Sequence, residues 1–462
     1  MNIGFVSTRL AGTDGVSLET AKWATIFERL GHTTFYCAGE LEPGCPPGLL
    51  VPEMHFTHPE VKWIHDRAFG TGRPAPDLRQ RIEALASKLQ TDLERFVATY
   101  RIDVLVVENA SAIPMNIPLG VALSRFIAAT SIPTIGHHHD FYWERERFLH
   151  NCVADILDTA FPPDFPSIQH VVINSLAQQS LRERRGLESE VVPNILDFAQ
   201  AAPGINGFSR NLRRSLGISD DHLLILQPTR VVRRKGIELS IELVRRLREP
   251  ANRNRLLGKE PVLLISHRTG DEGQGYLREL RRIAREADVP LLYAGYRFAP
   301  QAARRNRRKI YALWDAYAHA DFVTYPSLYE GFGNALLEAI YFRLPILVNR
   351  YSVYAADIGP LGFDLIEVEG EITDETVEQV ITVLTDTTRR RCMVEYNYEL
   401  ARQHFSFEAV IPKIASLLER CRGGAYAETA AADRLRIDTA SRDRRSIARG
   451  AKVVEDSHRF RT

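Results

Sequence analysis

Residues 326–339 read PSLYEGFGNALLEA and directly follow the apolar run 322–325. The pattern predicts a strand that leads through a Pro/Ser turn, past Glu330, Gly331, Phe332 and Gly333, into a helix opening near Asn334. Glycines let backbone N–H groups come close to a ligand, and the N-terminal end of a helix favours negative charge. Glu330 lies on the turn and Glu338 about one turn into the helix, so both carboxylates can face one crevice and accept hydrogen bonds from vicinal hydroxyls. A blander reading makes Glu338 a solvated helix residue and Glu330 an acid that merely opens the helix. Strand, glycine turn and paired acids coincide, however, where open α/β sheets bind ligands.

A second cluster, residues 136–148, reads GHHHDFYWERERF after another apolar run. Three consecutive histidines invite a metal. Neighbours on extended backbone point to opposite faces, so at best His137 and His139 converge, and no second group at recognised ligand spacing supports them. No metal site is expected. Tyr142 and Trp143 can stack on a ring-shaped ligand, and Arg145 and Arg147 can bind a carboxylate or phosphate. The stretch fits equally the start of an amphipathic helix with its aromatics inward and its charges in water.

Other chemistries lack their signatures. Gly331-Phe332-Gly333 is followed by Asn334, Ala335 and Leu336, so the dinucleotide fingerprint misses its third glycine. There is no phosphate loop ending in Gly-Lys-Ser/Thr, no Gly-x-Ser-x-Gly nucleophile elbow and no Asp-x-Asp pair for a divalent ion. A phosphorylated substrate would then rely on arginine, lysine and helix N-termini for positive charge. No cofactor is expected.

The elements that position these residues alternate. Short apolar runs at 2–7, 33–37, 104–107, 134–139 and 171–174 read as strands, and amphipathic stretches such as 18–30 separate them as helices. After a segment rich in Ala, Pro, Gly and Asn at 198–208, a second series follows, with strands at 223–227, 262–266, 291–294, 322–325 and 346–348 and a helix at 237–247. Alternating strands and helices imply buried parallel sheets, here in two doubly wound α/β domains, 1–198 and 199–404, whose strand ends face an interdomain cleft. Residues 405–422 have helical spacing, with Pro412 expected to end or kink the first turns, and the helix is expected to cross back to the first domain. Residues 423–462 read as a polar tail.

The 462 residues carry 59 Lys+Arg against 58 Asp+Glu, a balance that argues against a nucleic-acid partner. Five scattered cysteines, Cys37, Cys45, Cys152, Cys392 and Cys421, suit a reducing compartment. No basic leader opens the chain and no apolar run reaches about 18 residues, so a cytoplasmic protein without a transmembrane segment is expected.

The turn with two glutamates, seven residues between them, resembles the donor site of retaining glycosyltransferases of family 4, which have the two-domain GT-B fold. The resemblance extends over most of residues 1–422. Residues 227–236 (QPTRVVRRKG) are similar to the family's arginine and lysine five apart, which contact the donor diphosphate; Arg230 and Lys235 take those roles. Residues 11–16 (AGTDGV) look like the glycine loop after strand one and place Gly15 near donor and acceptor. Residues 192–197 (VPNILD) resemble the interdomain Val-Pro-Asn-Gly-Val-Asp turn, with Asn194 on the acceptor side, and Asn174-Ser175 resembles the usual upstream pair. The family's sugar-contacting histidine matches His139 best, with His138 the runner-up and Asp140 beside it. Tyr296, Arg297 and Phe298 sit where the family reads the nucleobase. Pro228-Thr229, Tyr341, Arg343 and the longer turn HRTGDEG at 267–273 depart from the family pattern without touching the charged groups.

The resemblance implies a metal-independent, retaining hexosyltransferase with an acceptor-side first domain and a nucleotide-sugar-binding second domain. Its partners would be a nucleoside diphosphate sugar, with mannose on GDP the first choice, and a small acceptor such as a glycosylglycerate or a sugar phosphate. A nucleotide-sugar epimerase of the same fold, or a non-catalytic nucleotide-sugar binder, are the alternatives.

Overall fold

The computed structural model describes residues 1–12, 14–70, 75–269, 273–306 and 308–423, so the tail expected over 423–462 lies, except for Gly423, outside them. Two parallel sheets organise the chain. The first has seven strands in the order Gly48–Leu50, Thr33–Ala38, Asn2–Val6, Val104–Glu108, Thr134–His138, Ile168–Val172, Ser189–Val191. The second has six, in the order Leu291–Tyr293, Glu260–Ile265, His222–Gln227, Phe322–Tyr325, Ile346–Asn349, Ile366–Val368. In each, the first strand of its half is central and the order reverses beside it, which is the doubly wound arrangement with a ligand crevice at the carboxyl ends.

Helices cover both sheets because their apolar residues recur at three and four spacing. Helix Leu78–Tyr100 buries Leu78, Ile82, Leu85, Ala86, Leu89, Leu93 and Phe96 against one face of the first sheet, and helix Ile237–Leu247 buries Ile237, Ile241, Val244 and Leu247 on the second. Residues 407–423 are helical, and Phe407, Val410, Ile414, Leu417 and Leu418 pack with Ile3, Phe5, Trp23 and Phe27 of the first half. The helix runs through Pro412 without a break. Only the carbonyl four residues back, on exposed Glu408, loses its partner there, and it can face water.

Several elements go beyond the expectation. Gly48–Leu50, Ser189–Val191 and Ile366–Val368 extend the sheet edges, and a small third sheet joins Phe298–Ala299, Arg308–Ala312 and Ala303–Arg305. The strand at 104–107 reaches one residue further, to Glu108, and the strand placed at 171–174 runs instead over Ile168–Val172. Among the described residues no helix is long and apolar enough to cross a membrane.

Candidate active site

The glycine turn is built as its spacing implies. Strand Phe322–Tyr325 ends, the chain passes Glu330, and helix Asn334–Tyr341 opens after Gly333 at φ 139°. A side chain at Gly333 would strike the Tyr351 hydroxyl, 2.5 Å from an added Cβ, and that hydroxyl donates to Phe332 O at 2.5 Å. That contact fixes the backbone of the turn just before the helix.

The basic loop 227–236 is stitched to this turn. Gly236, at φ 56°, allows Pro326 O within 2.4 Å of where a Cβ would be, and Leu328 N–H donates to Arg234 O at 2.8 Å. The contact brings Lys235 Nζ into an ion pair with Glu330, which also accepts from Arg234 Nη1 at 2.8 Å. Glu330 is buried and tied to these cations, so it does more than open the helix. Burial pushes its carboxyl up, but the charges of Lys235 and Arg234 overcome this and hold it down at about 2. Burial in turn lowers the Lys235 ammonium to about 8 against the pull of Glu330. Arg230 is exposed and outside the ion-pair network, yet close enough that its charge adds to burial and to Lys235 in lowering His267 to about 4. Arg234, to which the resemblance assigns no role, is therefore a third cation of the cluster.

Glu338 turns away from these cations. It accepts from Tyr317 OH at 2.6 Å, and burial raises its carboxyl above the ordinary range. The two acids therefore have different neighbours.

The first half supplies the opposite wall. A Cβ on Gly331 would sit 3.3 Å from His139 O, and one on Gly15, the first residue of helix Gly15–Arg29, would sit 3.6 Å from Asn334 Nδ2. Asn194 Nδ2 donates to Asn334 Oδ1 at 2.7 Å, while Asn194 Oδ1 is buried without a partner among the described residues. Asn174 Nδ2 donates to Gly331 O at 2.7 Å. Gly15, His139, Asn194, Gly331 and Asn334 are thus gathered at one seam.

His139 is oriented from behind by consecutive residues at the end of strand Val104–Glu108. Its Nε2 lies 3.3 Å from Glu108 Oε2, and its N–H donates to Asn109 Oδ1 at 3.0 Å. Burial lowers His139, but the hydrogen bond and charge of Glu108 reverse the shift and raise it. His137 Nδ1 stands 3.0 Å from the same carboxylate oxygen, poorly aligned for a hydrogen bond, and its ring stacks on Trp23 at 4.3 Å. Glu108, His137 and His139 place three ligand atoms within 4.8 Å of one another, so this is where a divalent ion could be held among the described residues. Glu108 was the partner that the histidine run lacked in the sequence, because it comes from the neighbouring strand.

His138, the runner-up for a substrate contact, points to the other face of its strand. It is fully buried, with Nε2 2.9 Å from His170 Nδ1, and lies away from the seam. Asp140 accepts from Asn109 Nδ2 at 3.0 Å and from Arg145 Nε at 2.8 Å, so Arg145 already has a counter-ion. Trp143 packs inward on Phe141 and donates to Ser180 Oγ at 2.8 Å, as a helix-start residue does, while Tyr142 is half-buried, with its hydroxyl 3.5 Å from Asp158. Arg147 lies over the ring of Phe148. Glu144, unremarked in the sequence, is pushed up to about 7 by burial and accepts from Phe141 N–H at 3.2 Å. Tyr296 is 57% exposed, and Phe298 is buried in the core.

The arrangement places fixed cations at a glycine turn in one half and an oriented histidine in the other, which suits stabilisation of a departing phosphate beside a sugar. Residues 305–400 match the family described as Glycosyl transferases group 1. The chain is 35% identical over 387 residues to a mannosylglucosylglycerate synthase of Petrotoga mobilis, covering 80% of this chain and 86% of that protein. It is 34% identical over 435 residues to a mannosylglucosylglycerate synthase of Thermotoga maritima, covering 88% and 97%. Sucrose-phosphate synthase from Thermosynechococcus elongatus superposes with a TM-score of 0.63 at 14% identity, covering 92% of this chain and all of that one, a likeness of fold that matches the GT-B arrangement of the two sheets. The chain belongs to the family of GT-B glycosyltransferases that includes these two mannosylglucosylglycerate synthases.

Proposed function

We propose that the chain transfers mannose, with retention and without a metal, from GDP-mannose to a glycosylglycerate. The observation that carries this reading is the seam where the Lys235–Arg234–Glu330 cluster and its glycine turn meet His139, Gly15 and Asn194. The names of the two relatives support mannose as the sugar and a glucosylglycerate as the acceptor.

In this mechanism Arg230 and Lys235 bind the diphosphate, with Arg234 and Glu330 fixing the Lys235 ammonium in place before the bond breaks. The anomeric C–O bond to the β-phosphate breaks and the electron pair leaves with the phosphate, where the two cations meet it. The acceptor oxygen bonds to the same face of the anomeric carbon, and its proton passes to the departing phosphate, so no protein nucleophile takes part. Glu338 binds hydroxyls of the donor, Tyr296 lies against the base, and His139 contacts the sugar next to the reacting carbon. Asn194 offers its free Oδ1 to an acceptor hydroxyl, and closure of the cleft excludes water.

The test is to incubate the purified full chain with GDP- and UDP-sugars, with and without glucosylglycerate or its phosphorylated counterpart, and to follow products by mass spectrometry. Mannosyl transfer that needs acceptor and survives chelator is the expected result. Interconversion of the donor sugar without acceptor would replace it with an epimerase. Abolition by chelator, with restoration by one divalent ion, would assign a metal to Glu108, His137 and His139.

A further inference from the structure

Among the described residues many surface arginines face a carboxylate, and one cluster of those that do not lies on a single hairpin and its neighbour. Arg297, Arg304, Arg305, Arg308 and Lys309 form no ion pair among the described residues, although the chain as a whole is close to neutral. Four of them lie on the antiparallel pair Ala303–Arg305 and Arg308–Ala312, where Arg304 is opposite Lys309 and Arg305 is opposite Arg308. Like charges directly across a strand pair are destabilising, and here two successive pairs are like-charged. Such an arrangement is relieved by an anion.

The hairpin walls a cavity of about 580 Å³, lined by Arg297, Arg304, Arg308, Lys309, Tyr296 and Tyr311 together with two neutral polar residues and no carboxylate. Two of these cations, Lys309 and Arg297, are held in place by groups that do not neutralise them. Lys309 Nζ donates to Phe208 O at 2.6 Å and Asn211 Oδ1 at 2.7 Å. Arg297 donates to Ser215 O and Ser215 Oγ at 3.3 Å each, and that hydroxyl also bonds Tyr311 at 2.8 Å. Oriented guanidinium groups bind phosphate bidentately, and the volume falls within the roughly 300 to 1,000 Å³ of small-molecule sites. The donor diphosphate does not account for this charge. Its cations are Arg230 and Lys235, neither of which lines the cavity, and a nucleobase is neutral.

We propose that this cavity is a second anion site, which takes a small molecule carrying two or more phosphate groups. Tyr296 belongs both to its wall and to the donor residues named above, so an occupant would sit beside the donor's base. The site stands on its own geometry and goes beyond the transfer reaction.

The experiment titrates inorganic tripolyphosphate into the full chain by calorimetry. One variant carries Arg230→Ala and Lys235→Ala, and a second carries Arg304→Ser and Arg308→Ser, all four residues being at or near the surface or in the donor loop. Binding that persists in the first variant and weakens at least tenfold in the second, with mannosyl transfer by the second unchanged when no tripolyphosphate is present, is the expected result. Binding lost in the first variant and intact in the second would overturn the proposal by placing the anion in the donor site alone. Absence of binding to the wild type, or wild-type binding only to vesicles containing phosphatidylserine, would overturn it as well. Failure of transfer in every protein would overturn the proposed function and leave the calorimetric result standing, so the two are separable.

Discussion

Each half of the cleft buries one carboxylate against cationic partners at the end of a strand, and the two halves choose different partners. Glu330 is held by the ammonium of Lys235 and the guanidinium of Arg234, whereas Glu108 faces the two imidazoles of His137 and His139. On the proposed reading, the Lys235–Arg234–Glu330 side meets the donor and supplies the charge. The opposite side is a positioning device, in which Glu108 and Asn109 present one histidine to the seam. The difference suits the proposed reaction, in which negative charge develops on the departing phosphate and cations are needed where that charge appears.

The sharpest way to break this contrast is to remove the fixed charge. Lys235→Ala is expected to lower kcat on the order of 10² to 10³, with the glycosyl-transfer assay as the measure. Near wild-type turnover would sink the assigned role. The stability counterpart separates the halves further. Glu330→Gln leaves Lys235 and Arg234 buried or half-buried without a counter-ion and is expected to cost about 3 kcal/mol in chemical denaturation. Glu108→Gln should cost clearly less, since imidazoles can shed a proton, while still lowering kcat by roughly 10- to 100-fold through loss of the His139 orientation. Equal stability losses for the two substitutions would show that the halves do not differ in the way described.

The pH dependence sharpens the comparison from the donor side. Lys235 sits at about 8, below its ordinary 10.5, because of burial. Its charge is present below that value and lost as pH rises through it, so kcat/KM for the donor should fall about tenfold below its plateau by pH 9. The sign for folding is opposite. The unfolded lysine binds its proton more tightly than the folded one, so this residue alone favours the folded state more as pH climbs from about 8 toward 10.5. Lys235→Arg should abolish the alkaline limb of the activity profile; its persistence would assign the limb to another group.

How much of this was legible in the sequence follows the same division. The donor turn is local, and the strand Phe322–Tyr325, the helix opening at Asn334 and the helix Ile237–Leu247 were readable to the residue from apolar spacing and glycines. Glu108 was not, since a carboxylate at the end of one strand becomes the partner of histidines on the next only through parallel register, with Glu108 beside His137. Arg234 was passed over because one-dimensional charge cannot say which of three adjacent cations turns inward. The three-residue edge strands and the arginine-rich hairpin escaped for want of apolar alternation, and His138 was misassigned to the seam although strand alternation already sends it to the face opposite His139.

The smallest expected effect lies where the two halves touch. Asn194 spans the seam, donating to Asn334 with one side-chain atom and leaving Oδ1 unpaired. If that oxygen receives an acceptor hydroxyl, its removal forfeits one hydrogen bond worth about 1 kcal/mol. Asn194→Ala should then raise the acceptor KM about fivefold with a smaller change in kcat, because a contact made equally in ground and transition states acts on KM. Steady-state kinetics at saturating donor measures it. An unchanged acceptor KM with a raised donor KM would instead make Asn194 a support for the donor turn through Asn334, and the acceptor contacts would have to be sought nearer to Asp140 and Glu144.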